Sequence, residues 1–455
     1  MVQQQETWSS RWTFLMATVG GAVGLGNLWR FPYIAGENGG GAFVVVYLAI
    51  VLVIGIPLVM AELALGRRGR GSPVAAMEVL CEGEQAHRGW QALGWMSIIA
   101  PPIALCFYSV IASWSMEYIV RAATGSFVGL TGEQAGLAFD GLLASPCRLI
   151  MWHTLFVASV AFVVGKGVRG GLERATSVLM PALFVLVIIL AIYANLTGDS
   201  ARAFQFLFNL DFSTLTGESF LLALGQAFFS VTVGAGLLLT YGSYLGDDVD
   251  LTKAAWTIAL ADTVVALMAA LAIFPIVFAA GVDPGDGPGL PFISLPVAFG
   301  QMPGGQLFGT LFFVLLLFAA FTSGLGMLEP IVAYLIEVQN STRMKITVFL
   351  GAGVWLVGLG SVFSFNIWQD FHPLNAIPLL EGKTIFSLLD YSVSNFFMPV
   401  NGVLIALFAA WVMRRAVIHA ELAPISDVVF WIWRFFTRFL VPIAIAMVIV
   451  FSVSE

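Results

Sequence analysis

About eleven stretches of this chain are apolar over roughly 20 residues, the length that carries a helix across about 30 Å of hydrocarbon. Nothing else in the sequence restricts its fold as strongly. They fall near 12–35, 42–66, 92–120, 149–165, 175–195, 218–242, 255–280, 305–336, 346–365, 385–413 and 428–453. The expected fold class is an all-α polytopic membrane protein. Composition agrees: of 455 residues 59% are hydrophobic and 10% charged, with a mean hydropathy of +0.93, more apolar sequence than a soluble core needs.

Cytoplasmic loops retain basic residues in excess. With the N-terminus inside, the inner loops hold Arg67, Arg68, Arg70, Arg88, Lys166, Arg169, Arg174, Lys253, Arg343, Lys345, Arg414 and Arg415, and the outer ones only Arg121, Arg148, Arg202 and Lys383. An odd number of spans then leaves Glu455 outside. The net charge of −7 is spread over the loops and points to no nucleic-acid partner. The opening MVQQQETWSS lacks the charged stretch and short apolar run of a cleavable signal peptide, so the first span would itself direct insertion. Cys81, Cys106 and Cys147 fall inside, within and outside the membrane, which suits free thiols. No HExxH, P-loop or CxxC pair is present, and the histidines are scattered, so an enzyme has no constellation to work with. The polar connections 67–90, 121–148, 196–217 and 281–304 read as ordinary loops, although VDPGDGPGLPFISLPVAFG in the last mixes turn residues with an apolar run and could fold back on the membrane face.

The first span contains GGAVGLGN. A break in a spanning helix survives only where protein or a water-filled cavity surrounds it. Gly24 and Gly26 can release carbonyls from the helical ladder, and Asn27 adds a side-chain oxygen. Such oxygens suit a hard cation, and the amides of a following half-helix suit a carboxylate. These glycines could instead serve close helix packing. The sixth span, GQAFFSVTVGAGLLLTYGSYLG, is interrupted in the same manner by Ser230, Thr232, Gly234 and Gly236. A pair of broken helices at corresponding places in two halves marks a transporter site near the midplane. In AAFTSGLGMLEP, Thr322 and Ser323 place adjacent hydroxyls deep in a helix, either facing a site or back-bonding to the preceding turn. Asp262 lies within an apolar span, where a lipid-facing carboxylate costs on the order of 2.5–3.5 kcal/mol, so it either serves function or belongs to an ion pair. Glu62 either caps amides of a broken helix or reaches the interface, and Glu329 is similar.

GGAVGLGNLWRFPYIAGENGGGAF followed by GIPLVMAELALGRR resembles the signature of the neurotransmitter:sodium symporter family, and the likeness continues through GQAFFSVTVGAGLLLTYGSYL and AAFTSGLGMLEPIVAYL to FSLLDYSVSN. The resemblance implies a leucine-transporter-like fold of two inverted five-helix repeats with broken first and sixth helices, a fold that is itself the standard example of that architecture. The repeats would span 12–195 and 218–413, with 428–453 as an additional helix of an eleven-helix bacterial branch. It implies a Na⁺-coupled importer of an α-amino acid in a bacterial inner membrane, the N-terminus cytoplasmic and the C-terminus periplasmic. A first sodium site would use the carbonyl of Ala22 with Asn27, Ser230 and Asp262; a second, the carbonyls of Gly20, Val23 and Ala319 with the hydroxyls of Thr322 and Ser323. The substrate carboxylate would meet the amides of Leu25 and Gly26 and the Tyr108 hydroxyl, with Gly24 leaving it room. The side-chain pocket would be lined by Ala104, Ile111, Phe229, Ser230, Thr232, Ala235, Ser323 and Met327. An outer gate would pair Arg30 with Asp390 above Tyr108 and Phe229, and an inner gate would use Trp8, Tyr244 and Glu337.

The chain departs from the family's pattern at three places. Gln5 stands where a basic residue completes the inner gate, so Arg11 could substitute, or Trp8 and hydrogen bonds could suffice. Chloride-dependent members resemble this chain at Tyr47, Gln226 and Ser230 but carry asparagine at the place of Asp262 and serine at that of Ala266. Chloride-independent transport is therefore expected, and an empty carrier could return with Asp262 protonated, a proton antiport. Ala104 and Ala235 make room for a large apolar or aromatic substrate. A carrier of another small zwitterion remains open; a channel would need a filter motif or charge ring that the sequence lacks.

Overall fold

The computed structural model describes residues 6–282, 284, 289–339 and 341–454, with side chains as far as 451; Gln5 and Glu455 lie outside the described residues. Nine helices among these are long and apolar enough to cross a membrane: Gly41–Gly69, Arg88–Ala123, Pro146–Gly165, Val168–Thr197, Leu251–Ala279, Gly305–Val338, Arg343–Phe363, Ile385–Val412 and Asp427–Phe451. The first and sixth apolar stretches are each divided, and with them the count reaches the expected eleven. The first runs as Arg11–Ala22, then a wider turn Gly26–Arg30 leading into Phe31–Glu37. The sixth runs as Gly217–Ser230 and Leu237–Ser243.

Backbone chemistry fixes the sixth break. Thr232, Gly234 and Gly236 take φ of +53°, +79° and +77°, left-handed values that glycine adopts freely and that cost a threonine about 1–3 kcal/mol. Glu62, fully buried, offsets that cost by accepting from the amides of Gly234 at 3.0 Å and Leu239 at 3.3 Å. Of its two sequence readings, the cap of a broken helix is the one observed.

The half-helix Arg11–Ala22 packs against the fifth, seventh and eighth spans, Leu237–Ser243 against the second, and the third and eighth spans run along each other. Both breaks therefore lie inside the bundle, where protein groups satisfy their backbone. Three connections expected to be plain loops contain short helices, Pro73–Gly83, Gly132–Leu143 and Ser200–Phe208. Each begins at a capping side chain, Ser72, Thr131 or Asp199. The fourth connection likewise contains helix: Leu290–Ser294 continues into Leu295–Gln301 with Leu290, Phe292 and Leu295 buried, while residues 283 and 285–288 lie outside the described residues.

Candidate functional site

The helical ladder of the first span stops at Ala22, which releases the carbonyls of its last turn. On one side of the break, Asn27 Nδ2 donates to Ser230 Oγ at 2.8 Å and to Asp262 Oδ1 at 2.8 Å. Ser230 Oγ donates to Asp262 Oδ2 and accepts from the Tyr47 hydroxyl at 3.1 Å. Asn27, Ser230 and Asp262 are buried. No Lys, Arg or His forms an ion pair with Asp262 among the described residues. The structural ion pair considered for this carboxylate is thus not what holds it. A buried carboxylate surrounded by neutral donors and oxygens is a place for a small cation, because an uncompensated buried charge costs several kcal/mol. Gln226 Nε2 donates to the Gly26 carbonyl at 3.0 Å in the same neighbourhood, and Ala266, one turn beyond Asp262, is fully buried.

On the other side of the break, Ser323 Oγ faces the carbonyls of Val23 at 3.4 Å and Gly20 at 3.5 Å. Thr322 Oγ1 donates to Phe318 O at 3.0 Å and Ala319 O at 3.1 Å within its own helix. Of the two readings given for these hydroxyls, Thr322 follows the back-bonded one and Ser323 the site-facing one. Gly20 lies against Thr322: a Cβ added to it would stand 3.2 Å from Thr322 Cβ. All five residues expected for the second cluster are therefore close together, and none is charged.

Between the clusters lies a cavity. Its walls include Ala22, Gly24, Leu25, Gly26, Ala104, Tyr108, Phe229, Thr232, Ala235, Ser323 and Met327. The Leu25 amide donates to the Tyr108 hydroxyl at 3.4 Å. At Gly24 a Cβ would meet Ser323 Oγ at 2.9 Å and Tyr108 Oη at 3.3 Å, so three segments approach closely there and a larger residue would displace the Ser323 hydroxyl. Two expected wall residues are not among those that line it: Ile111, buried about one turn beyond Tyr108, and Ser230, which bonds Asp262. Pro101, Phe107, Val393 and Met398 complete the wall instead. Val393 and Met398 belong to the tenth span, whose apolar residues meet lipid and cavity alike, and no sequence signal separates those two fates.

The two closures differ from expectation in opposite ways. At the expected outer gate Arg30 is near enough to Asp390 to act on it electrostatically. It stacks on the Phe229 ring at 5.2 Å, while Asp390 accepts from Ser394 Oγ at 3.0 Å. The ion pairs among the described residues do not include Arg30 with Asp390. On the inner side Trp8 Nε1 donates to Tyr241 O at 3.0 Å, with its ring against Tyr241 and Tyr244. The Tyr244 hydroxyl donates to Glu329 at 2.8 Å, and Glu329 pairs with Arg343. Glu337 does not join them: it accepts from the amide and hydroxyl of Ser72, two helical turns away from Glu329. Arg11 is exposed and outside every ion pair of the described residues; the ion pair beside Tyr244 is the one between Arg343 and Glu329. Glu6 with Arg343, Arg169 with Thr7 and Glu173 with Ser9 strap the preceding segment down.

The chain is similar to known proteins over almost its whole length. The profile of the sodium:neurotransmitter symporter family matches residues 5–131 and 134–455. An uncharacterised sodium-dependent transporter of Bacillus subtilis, YhdH, is 38% identical over 449 residues, covering 98% of this chain and 97% of the relative. A rabbit (Oryctolagus cuniculus) sodium- and chloride-dependent creatine transporter is 26% identical over 509 residues, covering 96% and 75%. The crystal structure of MhsT in complex with L-phenylalanine superposes with a TM-score of 0.88 at 39% identity, covering 98% of this chain and 99% of that one. The fold is thus the leucine-transporter-like one that the resemblance implied.

Proposed function

The chain belongs to the sodium:neurotransmitter symporter family, and from that premise we propose that it imports a large apolar or aromatic α-amino acid, coupled to two Na⁺ ions, without chloride. That it is a multi-pass, sodium-dependent transporter follows from the family and its relatives; the substrate, the ions and their ligands are our reading. The observation that carries it is the buried Asp262 carboxylate among neutral oxygens at the edge of an apolar cavity.

The first Na⁺ is held by Ala22 O, Asn27, Ser230 and Asp262, and the substrate's own carboxylate completes the shell. The second is held by the carbonyls of Gly20, Val23 and Ala319 with Thr322 and Ser323. The Leu25 and Gly26 amides and the Tyr108 hydroxyl orient the substrate carboxylate, and Ala104, Ala235, Met327, Val393 and Met398 receive its side chain. A carboxylate shared between ion and substrate makes their binding reciprocal: each raises the affinity of the other through one coupling free energy. An inside-negative potential adds about 2.3 kcal/mol per imported charge per 100 mV. Asp262 supplies the anion that chloride supplies in other members, and its protonation on the return step would export a proton. The family relation of MhsT, whose structure contains L-phenylalanine, supports an aromatic substrate.

Alternating access requires that one closure open while the other holds. The halves 12–195 and 218–413 rock about the fixed site; Arg30, Phe229 and Asp390 close it outside, and Trp8, Tyr244, Glu329 and Arg343 inside. The protein sits in a bacterial inner membrane with its N-terminus cytoplasmic and its C-terminus periplasmic. In proteoliposomes, an inward Na⁺ gradient should drive concentrative uptake of L-phenylalanine or L-leucine, released chemically unchanged. Equal uptake with K⁺ or choline in place of Na⁺ contradicts the proposal.

A further inference from the structure

Away from the transport site, the fourth and ninth spans enclose an apolar groove of about 420 Å³ that opens toward lipid. Its floor is the close approach of Gly351 to Ala161, where an added Cβ would stand 2.9 Å from the Ala161 methyl. Ala158 and Ala352 form its exposed walls. One end is closed by Trp355, whose Nε1 donates to Thr154 Oγ1 at 2.8 Å. At the other end, Phe162 and Met344 stand at the mouth.

That mouth carries two lysines, and the carboxylate beside it, Glu6 next to Gly167, is paired with Arg343. Lys166 Nζ lies over the Phe162 ring at 4.1 Å. Lys345 is exposed three residues before Val348 and seven before Ala352, on the same helical face as both. The ends of the two helices meet here, since a Cβ on Gly165 would touch Met344 Sδ at 2.6 Å. The neighbouring arginines are engaged: Arg343 with Glu329 and Glu6, Arg169 with Thr7. Lys166 and Lys345 belong to no ion pair among the described residues.

We infer that this groove is a site for one anionic glycerophospholipid, with an acyl chain along Ala158, Ala161, Gly351 and Ala352 and its phosphate between Lys166 and Lys345. The charge pattern favours this occupant over a second protein helix. A small-residue groove fits either, but two lysines outside every ion pair of the described residues, at the adjoining ends of two membrane-spanning helices, call for an anion, and basic pockets between membrane helices bind acidic headgroups. The site shares no residue with the Na⁺ and substrate clusters, so it stands or falls independently of the transport reading.

The test is native mass spectrometry of the detergent-purified protein, offered palmitoyl-oleoyl phosphatidylglycerol and phosphatidylcholine at equal concentration. The wild type should retain one phosphatidylglycerol in preference to phosphatidylcholine. In Lys166→Gln with Lys345→Gln that preference should fall about fivefold for each lysine, the ~1 kcal/mol that a basic side chain contributes at an acidic surface. Lys253→Gln, distant from the groove, should leave it unchanged. Ala158→Phe with Ala352→Phe fills the groove from exposed positions and should remove the bound lipid without altering elution on size exclusion. Equal retention of the two lipids overturns the inference, as does preference that survives the double lysine variant. A dimer in the wild type that the phenylalanine variant separates, with lipid retention unchanged, would show the groove to be an interface between copies.

Discussion

The two oxygen clusters that flank the broken first helix are built from the same backbone release and differ in charge. The Asn27 cluster contains a buried carboxylate, Asp262, tied to Asn27 and Ser230. The Ser323 cluster is made of carbonyls and hydroxyls alone, at 3.4 to 3.5 Å. A monovalent cation in the first is neutralised by the protein; in the second its charge is met only by dipoles. The first cluster is thus suited to hold an ion while the substrate carboxylate comes and goes. The second already joins Arg11–Ala22 to the eighth span through Ser323 and the carbonyls of Val23 and Gly20, and an ion there would tighten that join.

Substitutions within the clusters test that difference most severely. Asn27→Ala removes the bridge between Ser230 and Asp262 and leaves a buried anion with one donor fewer, a loss of about 1–3 kcal/mol for a buried partner; Na⁺-driven uptake should fall below detection. Ser323→Ala should weaken Na⁺ binding strongly but leave residual uptake at high Na⁺. Thr322→Val should be milder than Ser323→Ala, because its hydroxyl already bonds within its own helix. Sodium titrations of uptake rank the three, and equal effects for Asn27→Ala and Thr322→Val would erase the proposed difference.

Gly24→Asp places a second carboxylate between the clusters, where a Cβ is already 2.9 Å from Ser323 Oγ. It should abolish amino-acid uptake by occupying the place of the substrate's carboxylate, while circular dichroism still reports a helical protein. Retained phenylalanine uptake would move the carboxylate site elsewhere. The smallest effect is expected from Ala235→Phe, which leaves both clusters intact and reduces the cavity: competition assays should show the preference moving from phenylalanine toward smaller amino acids. An unchanged ranking would remove Ala235 from the side-chain pocket.

The elements legible in sequence were those where polar or flexible residues interrupt an apolar background: both helix breaks, Asn27, Asp262 and the paired hydroxyls. What escaped were contacts between residues that look alike in composition. Glu329 and Glu337 lie on one apolar helix, and their separate partners, Arg343 with Tyr244 and Ser72, depend on two turns of helical depth. Arg343 begins the next span, beyond a chain reversal, so its pairing is a tertiary fact. Val393 and Met398 line the cavity from a helix where Asp390, Ser392, Ser394 and Asn395 stand among apolar residues, and its periodicity does not say which apolar positions meet lipid. The short helix Gly132–Leu143 was legible in principle, since Thr131 and Gln134 form a capping box visible in the sequence.

Chloride-free coupling rests on Asp262 as the built-in anion of the first cluster. Na⁺-driven uptake of L-phenylalanine, compared in chloride and in gluconate, tests it in wild type and in the combined variant Asp262→Asn with Ala266→Ser. Uptake should be equal in both media for the wild type and should occur only in chloride for the variant. A wild type that stalls in gluconate, or a working variant indifferent to chloride, would contradict it.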